Sequence, residues 1–231
     1  MTMLEVENLT KAFPRRRSEE PFLAVDDVSF SLGRARTLAL VGESGAGKST
    51  VGRMVARLLE PTSGRVRIAG VDLLSLSRRE LRRQRRHVQV IFQDPFSSLD
   101  PRMTIGQSVA EPIALHTDLD RSSREALVVE LLGRVGLGPH LVDRYPHELS
   151  GGQRQRVAIA RALSVEPELI VCDEPVAALD VSVRAQVLNL LLDLQEETGV
   201  SLLFITHDLA AIEAFAHEIC VMRHGKVVEH G

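Results

Sequence analysis

Three stretches of the chain are apolar almost without interruption: Thr37-Leu38-Ala39-Leu40-Val41, Leu169-Ile170-Val171-Cys172 and Leu202-Leu203-Phe204-Ile205-Thr206. Runs this short read as strands buried on both faces, as in a parallel sheet covered by helices. Elsewhere the pattern alternates. Leu4-Glu5-Val6-Glu7 and Val28-Ser29-Phe30-Ser31 put apolar side chains on one face only, which predicts a partly antiparallel sheet with a wet side. Helical spacing follows at Val51, Val55, Leu58 and Leu59, closed by Glu60-Pro61. It returns at Leu127, Leu131, Leu132 and Val135, with Ser122-Ser123-Arg124-Glu125 as a capping box and Gly136 as the stop. Val157, Ala160 and Leu163 form the buried side of another helix, and a further one covers 187–197 before Gly199. The pattern predicts one α/β domain. Residues 1–41 with 65–70 form a β subdomain, 42–93 and 165–231 a parallel core, and 94–164 an inserted, mostly helical subdomain.

Each apolar run ends in residues suited to one task. After Val41 comes Gly42-Glu43-Ser44-Gly45-Ala46-Gly47-Lys48-Ser49, the pattern G-x-x-x-x-G-K-[S/T], with Thr50 continuing into the helix. Glycines let backbone N–H groups close around phosphates at a helix N-terminus, where the dipole favours anions. Lys48 is placed to bridge the β- and γ-phosphates of a nucleotide, and Ser49 to hold Mg²⁺. Only three of the 28 basic residues are lysines, so this one stands out. The second run ends in Asp173-Glu174-Pro175. Ligands of open α/β sheets bind beyond the carboxyl ends of the strands, so both acids face the same phosphates. Asp173 suits the Mg²⁺ shell, and Glu174 can polarise an attacking water. The third run delivers His207, within reach of a γ-phosphate oxygen. A further glycine turn, Leu149-Ser150-Gly151-Gly152-Gln153, is phosphate-touching in kind but has no lysine of its own.

Composition narrows the class. A 231-residue chain that is 44% hydrophobic can bury a sizeable core. A net charge of −3 with 3% aromatic residues gives no reason to expect nucleic acid as a partner. No run reaches the length of a membrane-spanning helix. Met1-Thr2-Met3-Leu4-Glu5 lacks the basic-then-apolar pattern of a secretory signal. Cys172 and Cys220 lie inside apolar runs, so they read as small buried hydrophobes rather than ligands or a disulfide. The remaining histidines are scattered without metal-ligand spacing. The run Arg78-Arg79-Glu80-Leu81-Arg82-Arg83-Gln84-Arg85-Arg86 reads as a solvated helix face, and Arg15-Arg16-Arg17-Ser18-Glu19-Glu20 as a surface loop.

Taken in order, residues 42–49, Gln93, residues 149–153, Asp173-Glu174, Ala178-Leu179-Asp180 and His207 resemble an ABC-type ATPase domain from end to end. They correspond to that family's Walker A, Q-loop, signature, Walker B, D-loop and switch histidine. The resemblance implies a P-loop NTPase core of RecA-like type, with an antiparallel β subdomain and a helical subdomain carrying the signature. It implies ATP and Mg²⁺ as cofactors, with the metal on Ser49, Gln93 and Asp173. Catalysis falls to Glu174, His207 and Gln93. It further implies a nucleotide-sandwich dimer, in which Ser150, Gly151, Gly152 and Gln153 of one subunit, with Asp180, complete the site held by residues 42–50 of the other. Phe13 stands where family members often stack an aromatic on adenine.

A narrower likeness lies in Val90-Ile91-Phe92-Gln93-Asp94-Pro95-Phe96-Ser97-Ser98-Leu99-Asp100-Pro101-Arg102, in Asp143-Arg144-Tyr145-Pro146-His147 and in Asp180-Val181-Ser182-Val183-Arg184-Ala185-Gln186. These are similar to ATPases of oligopeptide, dipeptide and nickel importers. That likeness implies two transmembrane permease subunits docked near residues 93–116 and, indirectly, a substrate-binding protein. It places the chain on the cytoplasmic face of the cell membrane. A soluble ABC ATPase of a metabolic complex, such as a phosphonate-degrading one, would share the ATP motifs and stays open as an alternative. Two departures stand out. Ala177 occupies a place where the family usually carries a small hydroxyl residue, and importers of this type commonly extend beyond the equivalent of Gly231.

Overall fold

The computed structural model describes residues 2–14, 20–94, 98–208, 212 and 215–231. Strand β1 (Thr2–Phe13) pairs antiparallel with β2 (Phe22–Gly33) and with β4 (Ser63–Ile68), and β4 in turn pairs with β5 (Val71–Asp72). The alternation read from sequence holds through Leu4 and Val6, which are buried. It breaks at Asn8, whose φ of 49° forms a bulge before Leu9 returns to the core. Asn8 Nδ2 donates to Asp27 Oδ1 across the irregularity at 2.8 Å.

A second sheet has the order β10-β9-β3-β8-β7-β6. It comprises β3 (Thr37–Val41), β6 (Val88–Ile91), β7 (Leu169–Asp173), β8 (Ser201–Thr206), β9 (Glu218–Arg223) and β10 (Lys226–His230). All its pairings are parallel except the closing β9 and β10 hairpin. The three apolar runs are therefore neighbours, in the order β3, β8, β7. One expected boundary moves: Thr37–Val41 is hydrogen bonded into this sheet, so the antiparallel layer does not extend to residue 41. An uninterrupted apolar strand belongs where both faces are covered, and only the central sheet offers that.

The sheet divides two cores by its two-residue period. Ile170, Cys172, Leu202 and Phe204 join the core beneath the helical subdomain, where Phe204 meets Phe215 edge-on at 4.6 Å. Leu169, Val171, Leu203 and Ile205 point the other way, into a core shared with β1, β2 and α1 (Lys48–Val55). Helix α1 ends sooner than the apolar spacing implied. Arg57 adopts a φ of 55° and turns the chain, leaving Leu58 half-exposed while Leu59 packs on the core.

Helix α2 (Arg78–Gln84) starts with a Ser77 and Glu80 capping box and buries nothing, as a solvated basic face should. The helical subdomain holds α3 (Ile105–His116), α4 (Arg121–Arg134) and α5 (Gly151–Leu163). In α4 the capping residue is Asp120, which accepts from Ser123 N at 2.8 Å, rather than Ser122. Asp120 has the extended backbone a cap requires, and Ser122 already lies in the first turn. Gly136, at φ 72°, follows the helix as expected. Helix α6 (Val181–Thr198) begins well before Val187 because its first turns are largely solvent-facing and carry no apolar period. Among the described residues no helix is long and apolar enough to cross a membrane. Cys172 and Cys220 are free and buried, and burial pushes the Cys172 thiol well up and the Cys220 thiol up to about 11.

Candidate functional site

The glycine loop joins β3 to α1 and is pressed between two backbone walls. A Cβ on Gly42 would sit 2.2 Å from Met222 O, at the end of β9, and one on Gly47 would sit 2.3 Å from Ala24 O, in β2. Both glycines also have positive φ, 149° and 100°. Only glycine fits either place. Gly225 N donates to Ala46 O at 3.1 Å, tying the β9 and β10 hairpin to the loop from behind. Glu43, Ser44 and Gly45 lie exposed at its mouth.

Lys48, 4% exposed, turns its ammonium back into the loop, where Nζ donates to Gly42 O at 2.7 Å and Glu43 O at 2.9 Å. Burial pulls its pKa below the usual lysine range, opposed by the carboxylates of Glu174 and Asp173. Ser49 Oγ donates to Asp173 Oδ1 at 2.7 Å. Burial raises the Asp173 pKa, with the Ser49 hydrogen bond working against the shift. A cation on this side would relieve that strain. Among the described residues no cluster of three acidic, histidine or cysteine ligands exists to cage a metal alone. The donor set fits Mg²⁺, which keeps waters and substrate phosphates in its shell and takes only one or two protein oxygens, here from Ser49 and Asp173.

Glu174 follows at the end of β7 with a φ of 49°, unusual for a side-chain-bearing residue. Its N–H donates to Ile205 O at 2.9 Å, which locks it against β8. His207 Nδ1 lies 3.1 Å from Glu174 Oε1. An ionised carboxylate only accepts, so with Glu174 charged the proton in this pair sits on Nδ1 and leaves Nε2 for another partner. The structure thus brings Lys48, Ser49, Asp173, Glu174 and His207 together beyond the carboxyl ends of three adjacent strands. Ala177 contributes only its N–H, to Glu174 O at 3.2 Å.

The other expected residues lie apart from that cluster or at its rim. Gln93 is exposed past β6, and Pro95, Phe96 and Ser97 fall outside the described residues. Phe13 is 37% exposed at the end of β1, with Lys11 Nζ 5.2 Å from its ring centroid, so it is not spent in the core. Thr50 is half-buried in α1. Ser150 caps α5 in a reciprocal box: its Oγ accepts from Gln153 N, and its own N–H donates to Gln153 Oε1. The nearest side chains to a Cβ on Gly151 and Gly152 are Leu179 and Val183, not the glycine loop of the same chain. Asp180 precedes α6 with the extended backbone of a cap, but its carboxylate makes no capping bond and stays exposed. Sequence reading missed the backbone walls at Ala24 and Met222, which have no local signature because each meets the loop from far away in the chain.

Residues 25–177 match the ABC transporter family model. The chain belongs to the ABC transporter family. This ABC-type ATPase is 52% identical over 232 residues to a probable peptide ABC transporter ATP-binding protein of Sinorhizobium fredii, covering 98% of the chain and 66% of that protein. It is 49% identical over 234 residues to the oligopeptide transport ATP-binding protein AppF of Bacillus subtilis, covering 99% and 71%. The ABC chain therefore spans about two thirds of the length of these relatives. Among solved structures it resembles the ATP-binding cassette MJ0796, a dimer in a post-hydrolysis state bound to ADP and Pi. The TM-score is 0.90 at 31% identity, covering 99% of this chain and 98% of that one. It also resembles cbiO1 of Clostridium perfringens, part of the ABC transporter complex cbiONQ, with a TM-score of 0.86 at 30% identity, covering 100% and 88%.

Proposed function

We propose that this ABC ATPase hydrolyses ATP at composite sites of a dimer and thereby drives an importer of peptides or nickel. The observation that carries the reading is the Glu174 and His207 pair, set beside the bonded Ser49 and Asp173 and the buried Lys48. Lys48 turns from its loop carbonyls to the β- and γ-phosphates as they enter, and the amides of residues 42–50 surround them. Ser49 and Asp173, with Gln93 at the rim, would hold Mg²⁺, which would supply charge neutralisation on the phosphate oxygens. Glu174 orients water for in-line attack, and His207 uses Nε2 to stabilise charge developing on the γ-phosphate. Phe13 offers a flat face to the adenine.

The second half of each site comes from the partner subunit. The N-terminus of α5, capped by Ser150 and opened by Gly151 and Gly152, is a helix start aimed at an anion, with no lysine of its own chain nearby. In the dimeric relative a post-hydrolysis nucleotide is bound, and relatives carry peptide-transport names. These likenesses support permease subunits as further partners, docked near residues 93–116 at the cytoplasmic face of the membrane. The metabolic-complex alternative would share every ATP motif, and the importer-like stretch after Gln93 in this chain speaks against it.

Glu174→Gln decides the catalytic assignment. The variant retains ATP affinity within about twofold, loses at least about a hundredfold in turnover, and accumulates as an ATP-bound dimer on size exclusion. Normal phosphate release from it would remove Glu174 from this role.

A further inference from the structure

One guanidinium spans the ground between the signature turn and the switch histidine. We propose that Arg184 is a positioning residue: it clasps the loop that carries Asp180 to the loop that carries His207, so that movement at the signature turn resets the Glu174 and His207 pair. This rests on the assignment of those two residues to hydrolysis.

The geometry is specific. Arg184 N donates to Asp180 O at 2.8 Å, so its backbone is fixed to the end of the D-loop by the first turn of α6. The side chain then doubles back. Nη2 donates to Leu179 O at 3.3 Å, and Nη1 donates to Asp208 Oδ2 at 2.9 Å. Asp208 is itself anchored, since its N–H donates to Thr206 Oγ1 at 3.0 Å at the end of β8. Between Thr206 and Asp208 stands His207, whose Nδ1 meets Glu174. On the opposite side, Leu179 and Val183 pack beneath Gly151 and Gly152, where a Cβ on Gly152 would fall 2.5 Å from Val183 Cγ1. Contact therefore runs without a gap from the signature turn through Leu179 to Arg184, then to Asp208 and the histidine.

Two physical points favour positioning over simple stabilisation. A planar guanidinium presents its N–H groups to two acceptors in a rigid fork, whereas an ammonium is a point charge on a flexible stem. The Arg184 and Asp208 side chains are each about one-third exposed, at 30% and 32%, and ion pairs so open to water add little to stability. What the pair can do is hold a loop in place, and small misplacements of catalytic groups cost far more in rate than in folding.

The test combines Arg184→Gln, Arg184→Lys and Asp208→Asn in the full chain, measuring kcat and KM for ATP together with thermal melting. Arg184→Gln is expected to lower kcat about tenfold, with KM unchanged within about twofold. Its melting temperature stays within about 2 °C of the parent. Arg184→Lys restores only part of the rate, because its ammonium keeps the charge but not the rigid fork. Arg184→Gln combined with Asp208→Asn falls no further than the slower single variant. An unchanged kcat in Arg184→Gln, additive losses in the double variant, or a rate loss matched by a fall in melting temperature would each overturn the proposal. Failure of the underlying assignment shows separately, as retained turnover in Glu174→Gln, and it would carry this inference down with it.

Discussion

At the scale of single residues the site holds a conflict that the ligand resolves. Asp173 is buried, and its carboxyl titrates above the ordinary range chiefly for that reason. An acid whose folded pKa exceeds its unfolded one favours the folded state at low pH, and that advantage is lost as pH rises from the unfolded value through the folded one. At neutral pH the charged Asp173 thus weighs against folding of the nucleotide-free chain. Asp173→Asn, which can still accept from Ser49, is expected to raise the nucleotide-free melting temperature by about 2 °C near pH 7. The gain shrinks as pH falls and is gone below about pH 3, where the carboxyl is protonated in both states. Melting curves across that range check the sign, and turnover should be lost at every pH. That Lys48, Ser49, Asp173, Glu174 and His207 come together was legible in the sequence, because each lies beyond an apolar run that reads as a buried strand. Arg184 was not. Its partners are a backbone carbonyl and a carboxylate from a distant strand end, and no spacing in the chain reports them.

Elements were legible to the degree that their own residues decide them. The alternating strands, the three uninterrupted apolar runs and the helix face of Val157, Ala160 and Leu163 followed from the apolar pattern alone. Boundaries failed where the deciding feature was a backbone angle: Arg57 ended α1, and the extended Asp120 displaced Ser122 as the cap of α4. The start of α6 was hidden because its exposed first turns lack an apolar stripe. Packing between elements yields its own test. The contact of α5 with α6 is so close at Gly152 that Gly152→Ala forces Val183 aside, which should lower the melting temperature by about 5 °C. Adding Val183→Ala restores most of that loss by vacating the space, as a double-mutant cycle would register. Recovery absent from the cycle would mean the clash is absorbed elsewhere.

For the molecule as a whole, the two-layer plan puts the nucleotide loop at the meeting of both sheets, and its rear wall is the carbonyl of Met222 with Gly225 behind Ala46. The β9 and β10 hairpin lies far downstream of the loop it braces, so the loop leaves the ribosome long before its rear wall does. A nascent polypeptide halted with residues 218–231 still inside the exit tunnel should fail to retain a fluorescent ATP analogue, and release of those residues should switch retention on. Retention before release would show the loop to be self-sufficient. If it is not, a loop made early stays blind to nucleotide until its distant brace has folded, and ligand capture becomes a reporter of folding order.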